Sequence, residues 1–267
     1  MAHFERKQHR ISTRRLFTRP GGRVEIDLWG PMNQLIEPEE EVVVSSSDGA
    51  TATVTKSTRP ISNRRRGYEL KALRTGTARI RARTHDGEGR WHEWDWFNFV
   101  IRDESSAGTF APATDRAFID RMARDGRDAC KAAGLPLAAM VACACGETGF
   151  GTSSIYKLTG CPFNLQRPWD WKWPDADIFE IPTVNKEGER PKSAPFCVAD
   201  SLAHAARLWC QWIEHWPNRK AKATLMSVAS DARAFAANLF IVGFAAGKRE
   251  NTEKFAKIID DHNLLDL

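Results

Sequence analysis

The sequence predicts an α+β protein of two domains, a β-sandwich followed by a mostly α-helical domain. Three observations carry this. Apolar residues alternate with period two over residues 22–103, then recur at helical spacing after residue 114. A small, polar, proline-bearing stretch, Ser105-Ser-Ala-Gly-Thr-Phe-Ala-Pro-Ala-Thr114, separates the two patterns. At 267 residues the chain is long enough for two domains of ordinary size. The expected division is residues 1–105, a linker over 106–113, and residues 114–267.

In the first part Val24, Ile26 and Leu28 share one face of a strand. Val42 and Val44, Thr51–Val54, Tyr68–Ala72 and Ala78–Ala82 supply further strands. The run Trp94–Ile101 reads as a strand buried on both faces. Turn signals separate these runs at Pro20-Gly21-Gly22, Ser47-Asp48-Gly49, Thr75-Gly76 and Asp86-Gly-Glu-Gly89. Two segments, Ser47-Asp-Gly-Ala-Thr-Ala-Thr-Val54 and Leu73-Arg-Thr-Gly-Thr-Ala-Arg-Ile80, resemble the strand–turn patterns of bacterial immunoglobulin-like domains. The resemblance implies an immunoglobulin-like β-sandwich, here without the core cysteine pair of antibody domains.

In the second part Thr114 or Asp115 is expected to cap a helix through about Ala133, with Gly134 as its stop. Pro136 suits the first turn of a helix ending at Glu147. Asp200 or Ser201 caps a helix over Leu202–Trp216, Ser230 starts one through Leu239, and Asn251 starts the last. Residues 155–197 are irregular and rich in Pro and Trp, so loops or a short β-hairpin are expected there.

Charge and composition exclude several classes. No apolar run approaches the roughly 20 residues of a membrane span. The net charge is +5, and residues 1–105 hold 19 Lys and Arg against 15 Asp and Glu. Arg64-Arg65-Arg66 lacks interleaved aromatics and reads as a solvated loop, so no nucleic-acid partner is expected. The basic N-terminus has no apolar core behind it, hence no secretory signal is expected. All six cysteines lie in the second part. Cys143 and Cys145 have no standard zinc spacing and read as small buried hydrophobes. No metal and no cofactor is expected.

The residue that carries chemistry is Glu147. An apolar helix, Val141-Ala-Cys-Ala-Cys-Gly-Glu147, ends on this single carboxylate, and Thr148-Gly-Phe-Gly151 follows. Desolvation at the end of a buried helix raises a carboxyl pKa, as a general acid needs. The plain alternative is a surface Glu near a helix end. Downstream, Trp169, Trp171 and Trp173 alternate, and Trp faces are common platforms for sugar rings. Glycoside hydrolysis usually takes two carboxyl groups, and Asp170, Asp175, Asp177, Glu180, Glu187 and Glu189 lie near these tryptophans.

Residues 137–265 resemble the glucosaminidases of glycoside hydrolase family 73, the flagellar and autolysin type of peptidoglycan hydrolase. Ala144-Cys-Gly-Glu147-Thr-Gly-Phe-Gly-Thr-Ser matches that family's Glu-Ser/Thr-Gly-x-Gly motif. Phe163-Asn-Leu-Gln166 matches Phe-Gly-Ile-Lys, and Phe196-Cys-Val-Ala-Asp-Ser201 matches Phe-Arg-x-Tyr-x-Ser. Leu239-Phe-Ile-Val-Gly-Phe-Ala-Ala246 with Asn251–Phe255 matches the Leu-x-x-x-Gly-Tyr-Ala-Thr turn and closing helix. The resemblance implies a lysozyme-like fold and cleavage of the β-1,4 bond between N-acetylglucosamine and N-acetylmuramic acid. It makes Glu147 the catalytic acid, with Phe163, Asn164, Asn185 and Phe244 as expected substrate contacts. Trp169, Trp171 and Trp173 are expected contacts from their alternation alone, the alternative being a hydrophobic knot that covers the helices.

Two departures stand out. The family's Gly-Tyr turn is Gly243-Phe244 here, which removes a hydroxyl. Thr183-Val-Asn185 occupies the place of a second Glu in Thr-x-Glu, and Asn185 cannot act as a base. Glu180 or Glu187 is then the candidate for the second role, or the substrate's own N-acetyl group serves.

Peptidoglycan glycan strands are the expected partner. The expected setting is synthesis in the cytoplasm without a signal peptide and action in the periplasm or cell wall of a target cell, as for a type VI secretion effector. That setting adds a periplasmic immunity protein, and an adaptor or spike protein reached through residues 1–105. The first domain is then expected to be dispensable for hydrolysis. The alternatives are a lytic transglycosylase, a phage endolysin, a cysteine peptidase or amidase using Cys145 or Cys197 with His204 or His215, and a non-catalytic wall-binding protein.

Overall fold

The period-two segments form strands, and their alternation sets which face is buried. The computed structural model describes residues 3–6, 9–10, 15–29, 42–57, 65–85, 90–104, 112–167, 174, 176–183 and 192–267. The chain makes two compact units, residues 1–106 with 177–193, and residues 107–176 with 194–267.

The first unit holds two sheets. Strands β1 (His3–Arg6), β2 (His9–Arg10), β4 (Arg23–Trp29), β6 (Ala52–Lys56) and β7 (Arg65–Ala72) form one, in the order β2-β1-β4-β7-β6. Strands β3 (Arg15–Thr18), β5 (Val42–Ser46), β8 (Gly76–His85), β9 (Trp91–Ile101) and β10 (Asp177–Thr183) form the other, in the order β10-β3-β9-β8-β5, whereas most of β11 (Lys192–Val198) belongs to the second unit. Val24, Ile26 and Leu28 are buried, and β4 pairs antiparallel with β7 so that Val24 meets Leu70 and Ile26 meets Tyr68. Ala78 and Ile80 lie opposite Phe99 and Phe97. The buried faces of the two sheets meet at Phe4 and Phe97, whose rings stand edge to face at 5.1 Å. The Phe4 N–H also donates to the buried Asp95 carboxylate at 2.8 Å, which gives that carboxylate a partner.

Two expectations change here. The run Trp94–Ile101 is not buried on both faces. Asp95, Phe97, Phe99 and Ile101 are buried, whereas Trp96 is half-buried on the other face with the Arg79 guanidinium 4.4 Å over its ring. The pairing register shifts between Ala82 and Arg83, opposite Trp94, and the buried alternation begins beyond that bulge at Asp95. Second, a single boundary at the linker does not describe the first unit, because β10 belongs to it. This strand runs parallel to β3, with Phe179 opposite Phe17 and their rings 6.3 Å apart. The Asp177 carboxylate, 2% exposed, pairs with Arg15 at 2.6 Å.

The second unit holds α1 (Asp115–Ala133), α2 (Leu137–Thr148), α3 (Ser154–Thr159), α4 (Leu202–Glu214), α5 (Arg219–Met226), α6 (Ala232–Asn238) and α7 (Arg249–Asp261). Its caps follow the sequence signals. The Thr114 hydroxyl accepts from the Ala117 N–H, Ser201 accepts from His204, and Gly134 closes α1 in the left-handed conformation. The start of α6 is Asp231, not Ser230, because its carboxylate accepts from the Arg233 and Ala234 N–H groups. Helix α7 starts at Arg249, before Asn251. Helix α4 ends at Glu214, two residues short of Trp216.

Helix α2 is the centre of this unit. Ala138 through Cys145 are all buried, so the helix is apolar all round and covered on every side. Among the described residues, no helix is long and apolar enough to cross a membrane.

Candidate active site

Glu147 is the next-to-last residue of α2, where the buried helix meets a cavity. Local sequence fixes that end. The Thr148 hydroxyl donates to the Ala144 carbonyl at 2.6 Å and accepts from the Gly151 N–H at 2.8 Å. The chain then leaves through three consecutive residues with positive φ, Gly149 at 56°, Phe150 at 56° and Gly151 at 89°. Glycine takes this region freely, but Phe150 does so at a cost of about 1–3 kcal/mol. Gly151 is required twice over, since a Cβ there would lie 2.9 Å from Pro112 Cδ and 3.0 Å from Phe118 Cδ2. Gly146 plays a matching part inside the helix. A Cβ on it would lie 2.5 Å from Phe255 Cε1, so its bare backbone lets α7 approach beside Glu147.

The cavity has a volume of about 420 Å³. Its walls are the end of α2 and Phe150 on one side, and Ala245, Asn251, Lys254, Phe255 and Ile258 on the other. The Ala245 side rests on a strained turn. Gly243, Ala245 and Gly247 have positive φ, and the Asn251 side-chain N–H donates to the Ala245 carbonyl at 3.2 Å. Gly243 has φ 78°, and a Cβ there would lie 2.7 Å from Trp216 Cη2. Gly243→Ala is therefore expected to lower stability by about 1–3 kcal/mol, from left-handed strain and overpacking together. Urea unfolding checks this, and an unchanged midpoint would contradict it.

Glu147 is half-buried. Burial pushes its carboxyl above the ordinary carboxylate range, against a smaller downward pull from the Asn164 side chain. The Asn164 Nδ2 donates to the Glu147 backbone carbonyl at 2.9 Å and to its Oε2 at 3.0 Å. Asn164 is itself held firmly. Its neighbour Phe163 is buried against Trp209, with ring centroids 5.9 Å apart. Beyond it, the Leu165 carbonyl accepts from the Cys197 N–H at 2.8 Å, and the Pro195 carbonyl accepts from Arg167 at 2.9 Å.

The structure sorts the residues expected from sequence. Glu147 and Asn164 are brought together. Phe163 and Phe244 are 1% and 4% exposed and pack on Trp209, so both are core rings, not sugar contacts. A ring at a motif position reads the same in sequence whether it faces a cleft or a core. Glu180 lies half-buried on β10, in the first unit, whereas Glu147 belongs to the second. Trp169, Trp171, Trp173, Asn185 and Glu187 lie outside the described residues. Sequence reasoning missed the cavity role of Phe150, Asn251 and Lys254. The spacing of Asn251, Lys254, Phe255 and Ile258 puts them on one face of a single helix, which is the signal that was present.

Cys145 and Cys197, the thiols expected as alternative nucleophiles, are shifted the wrong way for that role. All six cysteines are free and buried. Burial pushes Cys145 up to about 12 and Cys161 up to about 11, and it raises Cys143 and Cys197 as well. A catalytic cysteine needs the opposite shift.

No protein-family model and no curated protein matches the sequence. Among solved structures, the chain is similar to a peptidoglycan hydrolase mutant from Sphingomonas sp. A1, at 25% identity over 57% of this chain and 96% of that one, with a TM-score of 0.44. It is similar to the glycoside hydrolase domain of FlgJ from Salmonella typhimurium, at 22% identity over 57% and 91%, with a TM-score of 0.42. It is also similar to the catalytic domain of the autolysin Auto from Listeria monocytogenes, at 19% identity over 58% and 88%, with a TM-score of 0.46.

Proposed function

We propose that the protein is a peptidoglycan glycoside hydrolase that cuts the β-1,4 bond between N-acetylglucosamine and N-acetylmuramic acid, with Glu147 as general acid. The observation that carries this reading is one carboxyl, held by Asn164 at the end of a buried helix, facing a cavity, with its pKa raised by burial. The sequence resemblance over residues 137–265 supplies the substrate class.

In this reading Glu147 gives its proton to the glycosidic oxygen as the C1–O bond breaks. Positive charge develops at C1 and the ring oxygen. The acetamido oxygen of the same sugar then closes on C1. Water attacks C1 as its proton passes to the Glu147 carboxylate, which breaks the C1–O bond just formed, gives the reducing end and restores the acid. This substrate-assisted route fits a site in which Glu147 is the one carboxylate among the described cavity residues. A lytic transglycosylase would use the same acid and end in an anhydro sugar. The first unit reads as immunoglobulin-like. Its orders β1-β4-β7-β6 and β5-β8-β9 follow the A-B-E-D and C-F-G orders of that fold.

Incubation with purified sacculi is expected to release soluble muropeptides. Sacculi left intact would contradict the proposal. The pH dependence follows from the sign of the shift. A general acid works while protonated, so the alkaline limb of kcat should lie above the ordinary carboxylate range. A limb at or below that range, in a pH series of the same assay, would contradict the assignment.

A further inference from the structure

Asn164 occupies the place where the family's Phe-Gly-Ile-Lys has glycine. Its φ is 48°, in the left-handed region that Gly and Asn both tolerate. The backbone conformation is thus kept, while an amide is added that glycine lacks. That amide reaches two oxygens of one residue, the Glu147 carbonyl and Glu147 Oε2. A backbone carbonyl has no proton to give, so the amide nitrogen must face it, which fixes the amide orientation. The second N–H of Nδ2 then points to Oε2. An acidic proton on Oε2 would oppose that N–H.

We propose that Asn164 is a positioning residue for Glu147, holding the carboxyl against the end of α2 and confining its acidic proton to Oε1. The catalytic part of this inference rests on the hydrolase reading above. The other titratable groups around the carboxyl are Cys143 and Cys145 on α2 and Lys254 on α7, and behind the cavity wall the His262 ring lies 5.0 Å from that of Phe150. Both thiols are held in the protonated form by burial.

Asn164→Gly tests the proposal, because glycine takes φ 48° without strain. Two readouts are measured on the full chain. Carbon-13 NMR of the Glu147 carboxyl gives its titration directly, and hydrolysis of purified sacculi gives kcat and KM against pH. Loss of the N–H should move the Glu147 titration to higher pH. It should lower kcat by about tenfold, the weight of one charge-assisted hydrogen bond, with KM little changed and the alkaline limb shifted upward. An unmoved titration would overturn the proposal. So would a rise in KM with kcat unchanged, which would make Asn164 a substrate contact. If Asn164→Gly does not fold, the titrations in Asn164→Asp and Asn164→Ala decide. Asn164→Asp adds a second carboxylate beside Glu147, so the rise it should show must exceed the one seen in Asn164→Ala, which removes the N–H without adding charge. An unmoved Glu147 titration in Asn164→Ala would overturn the proposal. A wild type that leaves sacculi intact would remove the hydrolase reading alone, since the NMR titration needs no turnover.

Discussion

Glu147→Gln is expected to reduce peptidoglycan hydrolysis by about two to four orders of magnitude while leaving the fold intact. Gln keeps the side-chain oxygen that accepts from Asn164, so the local bonds survive the change. The stability effect has a definite sign. Burial raises the Glu147 pKa in the folded state. Its contribution to stability is therefore fully present below the unfolded pKa and lost as pH rises through the folded one. Above that window the wild type carries a partly buried, ionised carboxylate that the Gln variant lacks. The variant should melt at an equal or higher temperature at neutral pH, and no higher in acid. A carboxylate that served only as an acceptor for Asn164 would leave turnover alone on substitution. The hydrolysis assay separates the two roles, and calorimetry at two pH values checks the sign of the stability effect.

A fragment of residues 107–267 is expected to fold poorly. This reverses the expectation that the first domain is dispensable for hydrolysis. Strand β10 lies in the sheet of the first unit, beside β3. Ile178, Phe179 and Ile181 are 4%, 0% and 6% exposed, and burial of each such side chain contributes about 1.5–3 kcal/mol. Truncation removes the Phe17 ring that Phe179 meets and the Arg15 guanidinium that pairs with Asp177. It leaves a carboxylate and a run of apolar side chains without cover. Set against a total stability of about 5–15 kcal/mol, these losses are large. Aggregation of the fragment, or a melting temperature far below that of the full chain, is the expected result. A fragment that melts like the whole protein and clears sacculi at the full rate would contradict it.

Much of the local structure was legible because it is set by short-range chemistry. Thr114, Gly134 and Ser201 mark helix ends through side-chain caps and left-handed turns, and such signals need only a few neighbouring residues. Helices α3 and α5 were not foreseen. The first is a short turn of helix, and the second, Arg219–Met226, buries only Leu225, so neither writes a clear apolar stripe. The parallel pairing of β10 with β3 joins segments far apart in sequence, and periodicity carries no record of a strand's partner. At the site, Glu147 and Asn164 could be picked out because an acid ending an apolar helix, and a polar residue in the Phe163–Gln166 motif, are local patterns. The burial of Phe163 and Phe244 was not legible because it depends on Trp209, which reaches them from α4.

The central claim is that Glu147 drives cleavage of the glycan between N-acetylglucosamine and N-acetylmuramic acid. Mass spectrometry of borohydride-reduced muropeptides, from peptidoglycan treated with wild type or Glu147→Gln, tests it most directly. The expected products are new reducing N-acetylglucosamine ends with the wild type and almost none with the variant. Anhydromuramic ends would contradict the bond assignment, and equal product from both proteins would contradict the role of Glu147.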